Sequence, residues 1–259
     1  MENPTTFQYD GTFDGLLSLV FYAFAHKIEP MAIETKGAAR PDLFATPVDV
    51  VTNPAHASRV WDGLVKKSSG SNARMVYTAF LASDHQKEMV IWRYLQKIFT
   101  TPHNDFYTNI LDEDIHTLVQ LARKVKKEAH RFKGFVRFQQ TADDLFFAPI
   151  DPDHDILWLI AAHFTSRYAG QKWVIYDTGR GYGLYYDLET LHEINLEDAR
   201  VDMKSGKLEK GARSHVEDTY QKLWQQYYRS VTILERSNKE QMTRFMPRRY
   251  WKYLPEKDG

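Results

Sequence analysis

The hydrophobic period changes twice between Arg131 and Asp187, and this constrains the fold more than any other feature of the chain. Gly134-Phe-Val-Arg-Phe-Gln and Leu145-Phe-Phe-Ala have the two-residue period of strands and flank Thr141-Ala-Asp-Asp144, which predicts a hairpin. Ile156 to Tyr168 is apolar on nearly every face, as in a helix covered on both sides. Trp173-Val-Ile-Tyr-Asp-Thr178 and Tyr182-Gly-Leu-Tyr-Tyr-Asp187 form a second hairpin around Gly179-Arg-Gly181, whose glycines allow the positive φ of a tight turn. Strand, strand, helix, strand, strand predicts an α+β fold, an antiparallel sheet flanked by several helices, over a doubly wound parallel sheet.

Upstream, Phe7-Gln-Tyr-Asp10 reads as a strand. Phe13, Leu16, Leu17, Val20, Phe21 and Phe24 then mark a helix capped by Thr12 and ending near Lys27. Residues 30–54 hold several prolines and predict a loop with a short strand at Val48-Asp-Val-Val. A short helix over Ala55 to Leu64 and a flexible joint at Lys66-Lys-Ser-Ser-Gly-Ser-Asn72 precede a long helical region, Tyr77 to Phe99. Asp112 to Arg131 buries a stripe of Ile115, Leu118, Val119, Ala122, Val125 and Ala129, leaving Lys124, Lys127 and Arg131 on the wet side. Ser214-His-Val-Glu217 opens a last helix whose buried face runs from Val216 to Leu234. At 259 residues the expectation is one compact domain, with a mainly helical subdomain over 1–110 and an α+β subdomain over 111–259.

The chain has no cysteine, which excludes disulfides, thiolate zinc sites, cysteine nucleophiles and an iron–sulfur cluster held by its own side chains. No segment approaches the roughly 20 apolar residues of a membrane helix, and the N-terminus has no basic start leading into an apolar run. A soluble, cytoplasmic protein without a membrane partner is expected. The net charge is zero, so attraction to a polyanion has to come from local patches. Neither a Walker loop, a Rossmann fingerprint, a Gly-x-Ser-x-Gly elbow nor His-Glu-x-x-His occurs.

Three places carry candidate chemistry. Asp151-Pro-Asp-His-Asp155 gathers three carboxylates and an imidazole, a set suited to proton exchange or a divalent ion. The same residues suit the capping of the following helix. Asp177, Arg180 and Asp187 lie on or beside the second hairpin, where Arg180 would hold a phosphate or carboxylate and Asp177 would orient it or bind a base. Gly183 would let a ligand or another backbone come close. Two basic clusters are the third: Arg123, Lys124, Lys126, Lys127, Arg131 and Lys133, opposed only by Glu128, and Arg244, Arg248, Arg249 and Lys252 among Phe245, Tyr250, Trp251 and Tyr253. Positive charge beside rings is what a phosphate backbone with splayed bases requires.

Five blocks in order carry a resemblance that spans essentially the whole chain: Tyr9-Asp-Gly-Thr-Phe-Asp-Gly-Leu-Leu, His130-Arg-Phe-Lys-Gly-Phe-Val-Arg-Phe, Ala148-Pro-Ile-Asp-Pro-Asp-His-Asp-Ile, Trp173 through Asp187, and Met246-Pro-Arg-Arg-Tyr-Trp-Lys. The chain resembles a bacterial family described as probable DNA metabolism proteins, a domain of unknown function. The resemblance implies a DNA-repair setting and a radical S-adenosylmethionine protein as partner, and some members are fused to a uracil-DNA-glycosylase-like domain. It supplies no catalytic residues, and any radical cluster would reside on the partner.

The expected role is a DNA-binding accessory protein in repair or base modification. Arg180, Arg248, Arg249 and Lys252 would contact phosphate, and Tyr250 or Trp251 would stack on a base. An alternative is an enzyme acting on DNA or a nucleotide through Asp153, His154 and Asp177 as acid–base or metal groups. A third is a protein scaffold that binds its partner through exposed aromatics.

Overall fold

The computed structural model describes residues 5–37, 47–101, 109, 111–142, 144–195, 201–202, 207–208, 243 and 246–255. Two compact units divide the chain, Met1–Val125 and Lys126–Gly259. Mixed helices and sheets give the α+β class expected. The helix expected from Ser214 to Leu234, and Arg244 with Phe245, lie outside the described residues.

The first unit opens with β1 (Thr5–Tyr9), α1 (Phe13–His26), β2 (Pro30–Thr35) and β3 (Val48–Asp49). Thr12 caps α1 by accepting from Gly15 N at 2.9 Å, and Lys27 ends it in the left-handed region at φ 55°. Because α1 returns the chain to the end of the sheet where β1 began, β2 pairs with β1 in parallel, and so does β3 on the other edge. The proline-bearing segment expected to be a loop supplies the strand β2, with Pro30 at its first position, where a missing N–H costs least.

Three helices follow, α2 (Pro54–Lys67), α3 (Gly70–Phe80) and α4 (Lys87–Thr100). The joint expected over residues 66–72 shrinks to Ser68 and Ser69, since the Ser69 hydroxyl accepts from Asn72 N at 3.1 Å and starts α3 at once. The helical region expected from Tyr77 to Phe99 is helical in two parts, broken after Phe80, and Asp84 Oδ1 accepts from Gln86 N in the turn before α4. The core of this unit includes Phe7, Tyr9, Leu16, Leu17, Leu64, Val76, Ile91 and Leu95, all nearly sealed from solvent.

Helix α5 (Glu113–Phe135) buries Ile115, Leu118, Leu121, Ala122, Val125, Ala129 and Phe132, close to the stripe its period predicts. It runs four residues past Arg131, so Gly134-Phe-Val-Arg-Phe is not a strand. The reason is tertiary: Phe132 and Phe135 both pack on the ring of Tyr250, at 4.8 and 5.7 Å between centroids, and that contact keeps the helical spacing. Only Gln139–Gln140 remains extended, as β4.

In the second unit, β4, β5 (Phe146–Ile150), β6 (Trp173–Asp177), β7 (Tyr182–Tyr186) and β8 (Leu191–Ile194) form one sheet in chain order. Helix α6 (Leu157–Arg167) lies between β5 and β6 in sequence. The hairpins β4–β5, β6–β7 and β7–β8 are antiparallel, but β5 and β6 run parallel. The sheet is therefore mixed, a correction to the antiparallel expectation. The cause is again the crossover helix, which brings the chain back to the starting end of its neighbour. A further antiparallel pair, β9 (Val201–Asp202) with β10 (Lys207–Leu208), forms a separate two-stranded sheet, and a 3-10 helix spans Arg248–Tyr253.

Every residue of β6 is buried, and Gly183 on β7 lies opposite Tyr176. A Cβ at Gly183 would stand 2.8 Å from the Tyr176 ring and 2.9 Å from the Ile175 carbonyl oxygen. The close approach expected at this glycine is thus made by the neighbouring strand. Gly183→Ala should cost about 2–3 kcal/mol through overpacking, read as a lower urea midpoint at unchanged m value. A cost below about 0.5 kcal/mol would mean that the sheet opens to admit the methyl group.

Candidate functional site

The acidic turn, the tip of the β6–β7 hairpin and the 3-10 helix meet in one polar network. Asp177, at the end of β6, is fully buried. Its Oδ1 accepts from Gly179 N and Arg180 N at 3.0 and 3.1 Å, and its Oδ2 accepts from Arg180 Nη1 at 2.8 Å. Burial pushes the Asp177 carboxyl above its ordinary value, against the opposing pull of Arg180 and the two N–H groups. Arg180 then reaches across the turn, donating to the Pro152 carbonyl at 3.1 Å and to the Asp153 carbonyl at 2.6 Å. The hairpin tip closes directly on the acidic turn.

The two glycines of the tip serve different ends. Gly181 takes φ +75°, the left-handed turn conformation, and its N–H donates to Asp177 O at 2.8 Å. Gly179 supplies room, since a Cβ there would stand 2.8 Å from Asp151 Oδ1.

Beneath the turn lies a residue not named among the expected site groups, Glu128 on α5. It is 5% exposed. Its two carboxylate oxygens accept from Asp153 N at 3.0 Å and His154 N at 2.8 Å, and Oε1 also accepts from the Tyr250 hydroxyl. Burial first, and then the Glu128 hydrogen bond, raise the Tyr250 phenol well above its ordinary range. Arg249 Nη2 lies 3.5 Å from Glu128 Oε1 and forms an ion pair with Asp153 Oδ2. Lys252 Nζ pairs with Asp151 Oδ2 at 2.7 Å, and the Thr178 and Tyr253 hydroxyls share a hydrogen bond of 2.8 Å. Asp155 Oδ1 accepts from the Tyr182 hydroxyl. Two signals in the sequence point to Glu128: it is the lone acid among the cations of α5, and it falls on that helix's buried stripe, where a charge requires partners.

The residues singled out in the sequence are thus brought together, but largely with one another. Asp151, Asp153 and Asp155 do not cap α6, whose first turn follows Ile156 without a side-chain cap. They face Lys252, Arg249 and Tyr182 instead. Arg180 grips Asp177 and the turn carbonyls. His154 is half-buried and anchored through its backbone N–H. Asp187 lies apart, in a turn where the N–H groups of Thr190 and Glu189, together with His192, hold its carboxyl far below the usual range.

Tyr250 is packed inside. Trp251 is half-buried, with its indole N–H on the Met246 carbonyl and the exposed Arg248 guanidinium 5.9 Å from its ring centre. His163 is half-buried edge-on to Phe164, and burial followed by Lys133 and Arg167 lowers its pKa.

The outer face of α5 differs from this neutralised network. Lys126, Lys127, His130 and Lys133 are exposed, as are Arg123 and Lys124 in the turn before. Among the described residues, none of these lysines forms an ion pair. The one acid of the stretch, Glu128, is turned inward and engaged in the network. Among the described residues no helix is long and apolar enough to cross a membrane, and no group of three acidic or histidine side chains is placed to hold a metal ion.

No curated protein and no solved structure matches the chain. One family model does, a domain of unknown function designated DUF4130, over residues 85–256. That span contains all of α5, the mixed sheet, the acidic turn and the 3-10 helix, more than half of the chain, and on this basis the chain belongs to the DUF4130 family.

Proposed function

We propose that this protein is a DNA-binding accessory factor in bacterial DNA repair or base modification, acting with a radical S-adenosylmethionine or glycosylase-type partner. The observation that carries DNA binding is the charge asymmetry of α5: exposed lysines on its outer face, and its one nearby acid, Glu128, buried. A surface of unneutralised cations is the electrostatic requirement for phosphate. The repair setting and the partner rest on the family resemblance. Arg180, Arg249 and Lys252 serve in this reading as clamps on the acidic turn, because a phosphate would have to displace acceptors already in place. Phosphate binding falls to Lys126, Lys127, Lys133 and Arg248, and base stacking to Trp251 over Tyr250.

The test is fluorescence anisotropy with labelled single-stranded and duplex DNA, with and without uracil, at two salt concentrations. Affinity should fall with salt. The Lys126→Glu/Lys127→Glu/Lys133→Glu variant should bind at least about tenfold more weakly, and its log–log salt slope on duplex should become shallower by about 0.9 for each phosphate it no longer neutralises. Absence of binding at low salt, or an unchanged slope in the variant, would overturn the DNA-binding reading.

A further inference from the structure

The first unit holds a groove that the DNA-binding reading does not use. It encloses about 400 Å³ between α1, α2 and α3 and is lined by Phe13, Asp14, Leu17, Trp61, Asp62 and Tyr77, with Ala57 and Ser58 beside them. Leu17 and Ala57 are buried at its floor, while the three rings are half-buried and both carboxylates are exposed at its rim. The Trp61 and Tyr77 rings stand edge-on to Phe13, at 84° and 76° to its plane and 6.0 and 5.2 Å from it between centroids. Ring surface and negative charge are therefore presented to the same space.

Two of the three cations on α2 are directed elsewhere, and the third, Lys66, is exposed. Arg59 lies over Phe21, and Lys67 lies over Phe99 and donates to its carbonyl. Among the described residues neither Asp14 nor Asp62 forms an ion pair. A groove that combines aromatic walls with unpaired carboxylates suits a cation with a polarisable, weakly hydrated body. Among biological cations, guanidinium meets that description better than ammonium, because its plane can lie on a ring while its edge donates in a fork to a carboxylate. The open rim, with both acids in solvent, favours a side chain arriving on another polypeptide over a free small molecule, which would require deeper enclosure.

We infer that the groove bounded by Phe13, Trp61 and Tyr77 binds an arginine side chain of a partner protein, with Asp14 and Asp62 taking the guanidinium charge. The site goes beyond the proposed DNA binding and lies in the other compact unit.

The experiment uses the full chain labelled with 15N and follows the Trp61 indole resonance, assigned by its disappearance in Trp61→Phe. The probes are acetyl-Gly-Arg-Gly-amide, the same peptide with neutral citrulline in place of arginine, and free spermidine. The arginine peptide should shift the resonance saturably and citrulline should not. Asp14→Asn/Asp62→Asn should weaken the arginine peptide by about tenfold while the remaining spectrum stays folded. An equal response to citrulline would overturn the charge recognition, and tighter binding of spermidine than of the peptide would overturn the protein source. No shift at millimolar peptide would overturn the site. None of these outcomes depends on DNA binding.

Discussion

Glu128→Ala should destabilise the protein by about 3–5 kcal/mol, the range for removing one partner from a buried charge network. The substitution strips acceptors from Asp153 N–H, His154 N–H and the Tyr250 hydroxyl and removes one of the carboxylates beside Arg249, which keeps Asp153 and the Tyr250 hydroxyl. Donors left buried without an acceptor dominate the cost. Glu128→Gln keeps an acceptor but lacks the charge, and should fall between alanine and the native residue. Urea denaturation measures the effect, and amide exchange at residues 153 and 154 should accelerate in the native baseline before any global unfolding. A cost under about 1 kcal/mol, with unchanged exchange at both amides, would mean that the turn holds its shape without α5.

Asp177→Ala should cost about 2–4 kcal/mol, discounted from a fully buried pair because Arg180 is partly exposed. The substitution frees the hairpin tip from both N–H bonds and releases the guanidinium that binds the turn carbonyls. The pH dependence has a definite sign. Burial raises the folded-state value of this carboxyl above the ordinary 3.8, so the folded protein holds the proton more tightly than the unfolded chain. The stability contributed by that proton is complete below the unfolded value and declines as pH rises through the folded one. Asp177→Asn removes this titration and retains an oxygen for the two N–H groups. The stability difference, native minus Asn, should therefore shrink as pH rises from 3.8 through the acid range. A difference that grows with pH would show that the Arg180 ion pair outweighs burial.

Much of the fold is legible in the sequence because it is written in local periods. The 3.6-residue stripe of α5, the Thr12 cap of α1 and the β6–β7 hairpin each depend on residues close together in the chain, where backbone geometry alone dictates which side chains share a face. The direction of β6 against β5 departs from the sequence expectation for an identifiable reason, and β2 against β1 obeys the same rule. Each pair is separated by a helix, and a helix between neighbouring strands returns the chain to its starting end, which forces parallel pairing. The end of α5 is misleading because Val136 and Phe138 stand two residues apart, with Arg137 and Gln139 at the alternate positions, and so imitate a strand. The ring that keeps Phe132 and Phe135 in helical register, Tyr250, arrives from near the far end of the chain.

The polar site divides the same way. Its members are recognisable in the sequence, as acids before a helix, an arginine between glycines and a basic aromatic tail, since each is a local pattern of residue types. Their pairing is not, because Coulomb attraction and hydrogen bonding act over a few ångströms of space and are blind to sequence separation. Glu128 and Tyr250 stand 122 positions apart, and Lys252 and Asp151 stand 101 apart, yet each pair touches directly. From the residues alone, the tail of Arg249 and Lys252 is the better candidate for phosphate and the lysines of α5 the weaker. Folding brings Arg249 and Lys252 against the acidic turn, where each pairs with a carboxylate, and it turns Glu128 inward, while the α5 lysines stay exposed and, among the described residues, form no ion pair.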